Sequence, residues 1–211
     1  MPALIRRLPA AGWVSAGLFA AWSVITVTGL PDGPDRRAAA ALRHLARHTA
    51  DVVLSWFSLP ASVQITAAWL LLLMVVATRR PWWRWRVAVL AVVVVAGVTL
   101  EVAMKVLIDH PGPHPARGVI VLGSDAVGQG SFPSGHAFRG TAMAFGTALL
   151  ARDSRRGPAL VVAGGFAVVL AWATVYLNQH WTSDVIGGVL LGLVAAAIVG
   201  AVPFTSRQPA P

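Results

Sequence analysis

Apolar residues gather along the chain in six long stretches, at about 10–27, 62–78, 87–108, 134–151, 158–177 and 184–202. Each approaches the roughly 20 residues an α-helix needs to cross a hydrocarbon core of about 30 Å. Residues 92–98 are mostly valine, which on its own would suit a strand. A lone strand leaves its backbone unpaired in lipid, so this stretch reads as helix. Residues 36–49 follow another pattern, alanine-rich with Leu42 and Leu45 on one side and Arg43, His44, Arg47 and His48 elsewhere. That pattern predicts an amphipathic helix lying in the membrane interface. The expected fold is all-α: one membrane domain over residues 1–211, an integral helical bundle of six transmembrane helices plus the interfacial helix.

Composition strengthens this picture. The 211 residues are 56% hydrophobic and 12% charged, against about 25% charged in soluble domains. Mean hydropathy is +0.69. So little charge cannot coat a water-soluble domain, which excludes a soluble enzyme, a disordered tail and a fibre. The absence of cysteine excludes disulfides, thiolate catalysis and cysteine-held metals. A net charge of +9 would suggest nucleic acid in a soluble protein. Here the charges form short clusters between apolar stretches, so the expected partner is the bilayer and not nucleic acid. A single lysine, Lys105, stands among 17 basic residues, with abundant Ala and Val; this reads as the coding bias of a GC-rich bacterial genome. Arg6 and Arg7 before the first stretch resemble a signal peptide. The following Leu30-Pro31-Asp32-Gly33-Pro34 reads as a turn and not a cleavage site, so the helix is expected to be retained.

Six crossings place the segments between them alternately on two faces. One face carries Arg6, Arg7, Arg79, Arg80, Arg84, Arg86, Arg152, Arg155, Arg156 and Arg207; the other carries Arg36, Arg37, Arg43, Arg47 and Arg117. The arginine-rich face is expected in the cytoplasm of a multi-pass protein of the bacterial plasma membrane. Trp82, Trp83 and Trp85 beside it read as an interfacial anchor. All six histidines (His44, His48, His110, His114, His136 and His180) fall on the opposite face, with most acidic residues, including Asp109 and Asp184. Anchoring needs no histidine, so titratable groups crowded at one edge point to chemistry there.

Three local patterns stand at that edge. Phe132-Pro133-Ser134-Gly135-His136-Ala137 opens the fourth stretch. Ser134 is a natural N-cap, and a helix start presents unpaired N–H groups and a positive dipole end that suit an oxyanion. His136 in the first turn could give a proton to something bound there; the simpler reading is a capped helix with an interfacial histidine. His180-Trp181-Thr182-Ser183-Asp184 opens the sixth stretch. If helical, its i, i+4 spacing puts His180 and Asp184 on one face, and the carboxylate could fix the imidazole tautomer. Alternatively Asp184 only complements the helix dipole. Glu101 and Lys105, also at i, i+4, end the third stretch. They read as an internal ion pair, or as a cation aimed at an anion by the loop at 109–133.

The order lysine, Pro-Ser-Gly-His, His-x-x-x-Asp at one membrane face resembles the type 2 phosphatidic acid phosphatase family, which includes the vanadium-dependent haloperoxidases. That family's pattern is K-x(6)-R-P, then P-S-G-H, then S-R-x(5)-H-x(3)-D. Lys105 and Pro113 match the first part, Pro133 to His136 the second, and His180 and Asp184 the third. Both motif arginines are missing: their positions hold Gly112 and Thr174, with Ala173 in place of the serine. The resemblance implies a membrane phosphatase acting on a lipid phosphate or diphosphate, phosphatidate-like or polyprenyl, at the outer leaflet. His180 would form a phosphohistidine, oriented by Asp184, and His136 would protonate the leaving oxygen. Lys105, Ser134 and the backbone around Gly135 would bind phosphate. The resemblance implies neither metal nor other cofactor.

Losing two arginines costs on the order of 3–6 kcal/mol at about 1.5–3 kcal/mol per charged hydrogen bond. Arg139, three residues after His136 on nearly the same helical face, is the first candidate to compensate, with Arg117 and His110 as others. The simpler reading is that Arg139 only snorkels to the interface. Two other functions fit the same fold: a non-hydrolytic protein that binds or moves a lipid phosphate, and an enzyme doing other chemistry on a prenyl diphosphate. For the latter, Trp172, Tyr176 and Trp181 would face the hydrocarbon.

Overall fold

A computed structural model describes residues 8–113 and 130–204. Among these residues the chain forms helices and turns, with a single isolated bridge between Pro111 and Gly130. We number the helices α1 (Ala10–Val27), α2 (Asp32–His44), α3 (His48–Ser58), α4 (Val63–Arg79), α5 (Arg84–Leu107), α6 (Gly135–Ala148), α7 (Arg156–Tyr176) and α8 (Thr182–Ala201). The valine-rich segment lies inside α5.

The interfacial segment differs from the 36–49 helix the pattern suggested. Its first helix starts earlier, with Asp32 and Asp35 in the first turn, where acidic side chains complement the dipole. It stops at His44, Arg47 adopts an extended backbone, and the new helix α3 begins at His48. Pro60 lies in the short 3-10 turn Leu59–Ala61 that separates α3 from α4, and the two helices meet at a bend of 47°.

The described helices include four long and apolar enough to cross a membrane, namely α1, the Pro81–Leu107 segment, α7 and α8, or five if the bent α3–α4 pair is one span. The chain is thus a multi-pass membrane protein. The remaining expected span, 134–151, forms α6, which has 14 residues and reaches only about 21 Å. Its size suits a central position: ten of its 14 residues are buried, and it packs on α5, α7 and α8. A Cβ at Gly188 would stand 2.3 Å from the Ser134 carbonyl oxygen, and one at Gly192 would stand 2.6 Å from the Thr141 Cβ. Only glycine lets α6 and α8 approach this closely, the small-residue contact that membrane helices use in place of a hydrophobic drive.

The rest of the bundle fixes these two helices at both ends. α1 lies along α8, with Gly12 against Ala197 and the Trp22 Nε1–H donating to the Ser183 carbonyl. At the arginine-rich end, buried Arg86 donates through Nε to the Val202 carbonyl at 2.8 Å and through Nη1 to the Leu149 carbonyl. Its guanidinium also stacks on Phe204 at 3.6 Å. A cation there satisfies carbonyls at the C-terminal ends of α6 and α8 at once.

Candidate active site

At the opposite end, the start of α8 meets the start of α6. His180 lies two residues before α8, not within it, so helical i, i+4 spacing does not place it beside Asp184; the turn at 177–181 does. The Asp184 side chain is fully buried. Its Oδ2 accepts from the Trp181 backbone N–H at 2.9 Å and from the Ser131 hydroxyl, and lies 3.5 Å from Nδ1 of His180. Its other oxygen, Oδ1, lies 3.4 Å from Nε2 of His110. Ser131 Oγ is 3.0 Å from His180 Nδ1. Two imidazoles and a hydroxyl therefore surround one buried carboxylate.

The Pro133–His136 turn is tied directly to this group, because the Ser134 backbone N–H donates to the Asp184 carbonyl at 2.9 Å. Ser134 caps α6 as its sequence suggests, its hydroxyl accepting from the Ala137 N–H at 3.3 Å. His136 follows in the first helical turn, half-buried. Behind the turn lies Glu101, whose Oε1 would be 2.1 Å from a Cβ on Gly135. Glu101 holds two cations: Lys105 Nζ on Oε1 at 2.8 Å and Arg139 Nη1 on Oε2 at 3.1 Å. Arg139 also donates through Nε to the Ala61 carbonyl at 2.8 Å. All three are about 95% buried or more.

Lys105, Ser134, Gly135, His180 and Asp184 are thus gathered around the facing ends of α5, α6 and α8. Three candidate phosphate-binding groups already face carboxylates, the first being Lys105, which is paired with Glu101. Arg139 is turned into the interior toward Glu101 and Ala61 rather than snorkelling to the interface, and His110 faces Asp184. Arg117 and His114 lie outside the described residues. At the vacated arginine positions, Thr174 is fully buried and bonds the Leu170 carbonyl of its own helix. A Cβ on Gly112 would stand 3.1 Å from Ser131 Oγ, so a side chain at 112 would start beside the His180–Asp184 group. The aromatics considered for prenyl chemistry have structural partners: Tyr176 Oη bonds the Leu45 carbonyl and accepts from the Arg47 N–H, and Trp181 Nε1 donates to the Pro111 carbonyl. Trp172 is half exposed on α7.

Sequence reasoning missed two participants. Ser131 precedes the recognisable motif by two positions. Asp35, on α2, accepts from both the Ser183 N–H and the Ser183 hydroxyl, and so holds the first turn of α8. Burial raises the Asp35 carboxyl above its ordinary value, against the lowering effect of the Ser183 hydrogen bonds; the nearby Asp184 charge raises it further.

Residues 85–208, which contain all three motif parts, match the family model of the PAP2 superfamily. The chain belongs to this superfamily. The resemblance read from Lys105, Pro133–His136, His180 and Asp184 therefore holds. The putative undecaprenyl-diphosphatase YbjG of Escherichia coli (strain K12) is 31% identical over 121 residues, covering 53% of this chain and 58% of that protein's length. The first transmembrane PAP2 type phosphatidylglycerolphosphate phosphatase from Bacillus subtilis, known from its crystal structure, shares the fold with a TM-score of 0.76. It does so over 90% of this chain and 94% of that one, at 20% identity.

Proposed function

We propose that this PAP2 protein is a phosphatase of the bacterial plasma membrane that hydrolyses a lipid phosphate or diphosphate on the extracytoplasmic side. Its substrate is phosphatidate-like or polyprenyl. The observation that carries the reading is the meeting of His180, Asp184 and the Pro133–His136 turn, joined by the Ser134 N–H to Asp184 carbonyl bond. His180 Nε2 attacks phosphorus as the bond to the leaving oxygen breaks, and His136 gives that oxygen its proton. Water then attacks the phosphohistidine, His136 takes up a proton, and phosphate departs. Phosphoryl transfer needs mainly positioning and positive charge. Here the start of α6, Ser134 and Gly135 supply donors, and Lys105 and Arg139 supply charge from behind the turn. His110 stays beside Asp184.

A lipid substrate is supported by an apolar cavity of about 620 Å³ between α4, α6 and α7. Pro60, Trp69, Gly140, Met143 and Phe166 line it, and its Pro60 and Gly140 end adjoins the Ala61–Arg139 bond. In this reading the bent α3–α4 pair and the enclosed α6 both count as crossings. That gives six, with the histidines outside.

Purified protein should release phosphate from at least one of phosphatidate, phosphatidylglycerol phosphate and a polyprenyl diphosphate. His180→Ala should fall to background, and acid-labile phosphate should be trapped on the wild-type chain alone. Equal release by wild type and His180→Ala would overturn the reading. The buried, internally bonded Thr174 and the bare Gly112 favour a second reading, a non-hydrolytic binder of lipid phosphates. Binding that survives His180→Ala without any turnover would select it.

A further inference from the structure

Ser131 stands outside the three-part motif, yet its hydroxyl lies between the two residues that matter most. Its Oγ is 3.0 Å from His180 Nδ1, closer than the 3.5 Å from that nitrogen to the Asp184 carboxylate. A serine hydroxyl has one proton, and an ionised carboxylate only accepts. The proton of the Ser131–Asp184 hydrogen bond is therefore the serine's. With that proton committed, Oγ can only accept from its other neighbour, so Nδ1 of His180 must be the nitrogen that carries hydrogen. A neutral imidazole has one such hydrogen, and Nε2 is left with its lone pair.

We propose that Ser131 is a positioning residue that fixes the reactive tautomer of His180, by relaying its Nδ1–H to Asp184. The proposal rests on the phosphohistidine reading above and adds to it the group that prepares the nucleophile. As Nε2 bonds phosphorus, the bond to the leaving oxygen breaks and the ring becomes a phospho-imidazolium. No proton leaves the ring. Nδ1–H stays donated to Ser131, and the new positive charge is stabilised through two hydrogen bonds to Asp184. When water cleaves the N–P bond, the ring returns to the neutral Nδ1–H form, ready for another turnover.

The surroundings hold Ser131 to this task. It is 5% exposed, and its backbone N–H donates to the His110 carbonyl at 2.7 Å. Asp184 is also held by the Trp181 N–H, and His110 lies beside its other oxygen. Gly112 leaves room beside the serine hydroxyl.

The experiment uses full-length protein labelled with ¹⁵N-histidine in micelles, with His180→Ala to assign the His180 signals. Wild-type His180 is expected as the Nδ1–H form. Ser131→Ala should shift it toward Nε2–H and lower kcat by roughly ten- to a hundredfold, with KM near wild type. Ser131→Thr, which keeps the hydroxyl, should retain both tautomer and rate. Wild-type His180 in the Nε2–H form, or an unchanged Nδ1–H form in Ser131→Ala, would overturn the proposal. Should Ser131→Ala not fold, the wild-type and Ser131→Thr tautomers decide. A wild type that releases no phosphate defeats the phosphatase reading separately, since the tautomer is read without substrate.

Discussion

Glu101 shows what single residues contribute here. One buried carboxylate holds the Lys105 ammonium on one oxygen and the Arg139 guanidinium on the other. A charge stripped of water and left without its partner costs several kcal/mol. Glu101→Ala is therefore expected to destabilise the protein by about 3–5 kcal/mol, and Glu101→Gln by less, because an amide still offers one acceptor. Thermal unfolding in detergent measures both. At this scale His180, Asp184 and the Pro-Ser-Gly-His turn were legible, because their chemistry imposes fixed spacings on a short stretch of chain. Arg139 was legible only as an anomaly, a charge inside an apolar helix; that its partners are Glu101 and the Ala61 carbonyl depends on how α5 and the α3–α4 turn pack on α6. Ser131 gave no signal at all. One hydroxyl in a loop has neither periodicity nor a recognisable neighbour, and its importance appears only when His180 arrives from 49 positions away.

Between elements, the α6–α8 crossing governs the site, since it sets the Ser134–Asp184 backbone bond. Gly192→Leu would drive a side chain into Thr141 and the Phe138 carbonyl, 2.6 and 2.9 Å from a Cβ. Overpacking of this kind costs typically about 1–3 kcal/mol. The expected result is a variant with wild-type helical circular dichroism, a lowered Tm and a larger loss of phosphate release than the Tm shift explains. The α2–α8 contact has its own signature in pH. Asp35 has a raised folded-state carboxyl, so the stability it contributes is complete below the unfolded value, about 3.9, and is lost as pH rises through the folded value. Asp35→Asn stays neutral and can still accept from the Ser183 N–H. Its Tm should lack the decline that the wild type shows as pH rises from about 4. Equal slopes would reject this assignment. The ends of the long apolar helices were read from hydropathy within a few residues, but α3 was not. Its 11 residues mix polar and apolar positions and lead into Pro60, and the turn of α3 onto α4 comes from packing beneath α7.

For the molecule as a whole, sidedness joins the charge pattern to the chemistry. Arg86 closes one end of the bundle over the last turns of α6 and α8, and the histidine–carboxylate group occupies the other. Arginines cross a membrane reluctantly during insertion, so the proposed orientation keeps the arginine-rich end with Arg79, Arg80 and Arg84 in the cytoplasm. This is directly testable because the chain has no cysteine, and a single introduced thiol reports one position without background. Leu45 at the histidine-rich end and Trp85 at the arginine-rich end are 58% and 64% exposed, so neither replacement disturbs the core. In intact spheroplasts an impermeant maleimide should label Leu45→Cys and spare Trp85→Cys until the membrane is opened. Phosphate release from lipid in the outer leaflet should need no such opening. Labelling of Trp85→Cys alone would put His180 in the cytoplasm and move the substrate to the inner leaflet, leaving the chemistry of the site as it stands.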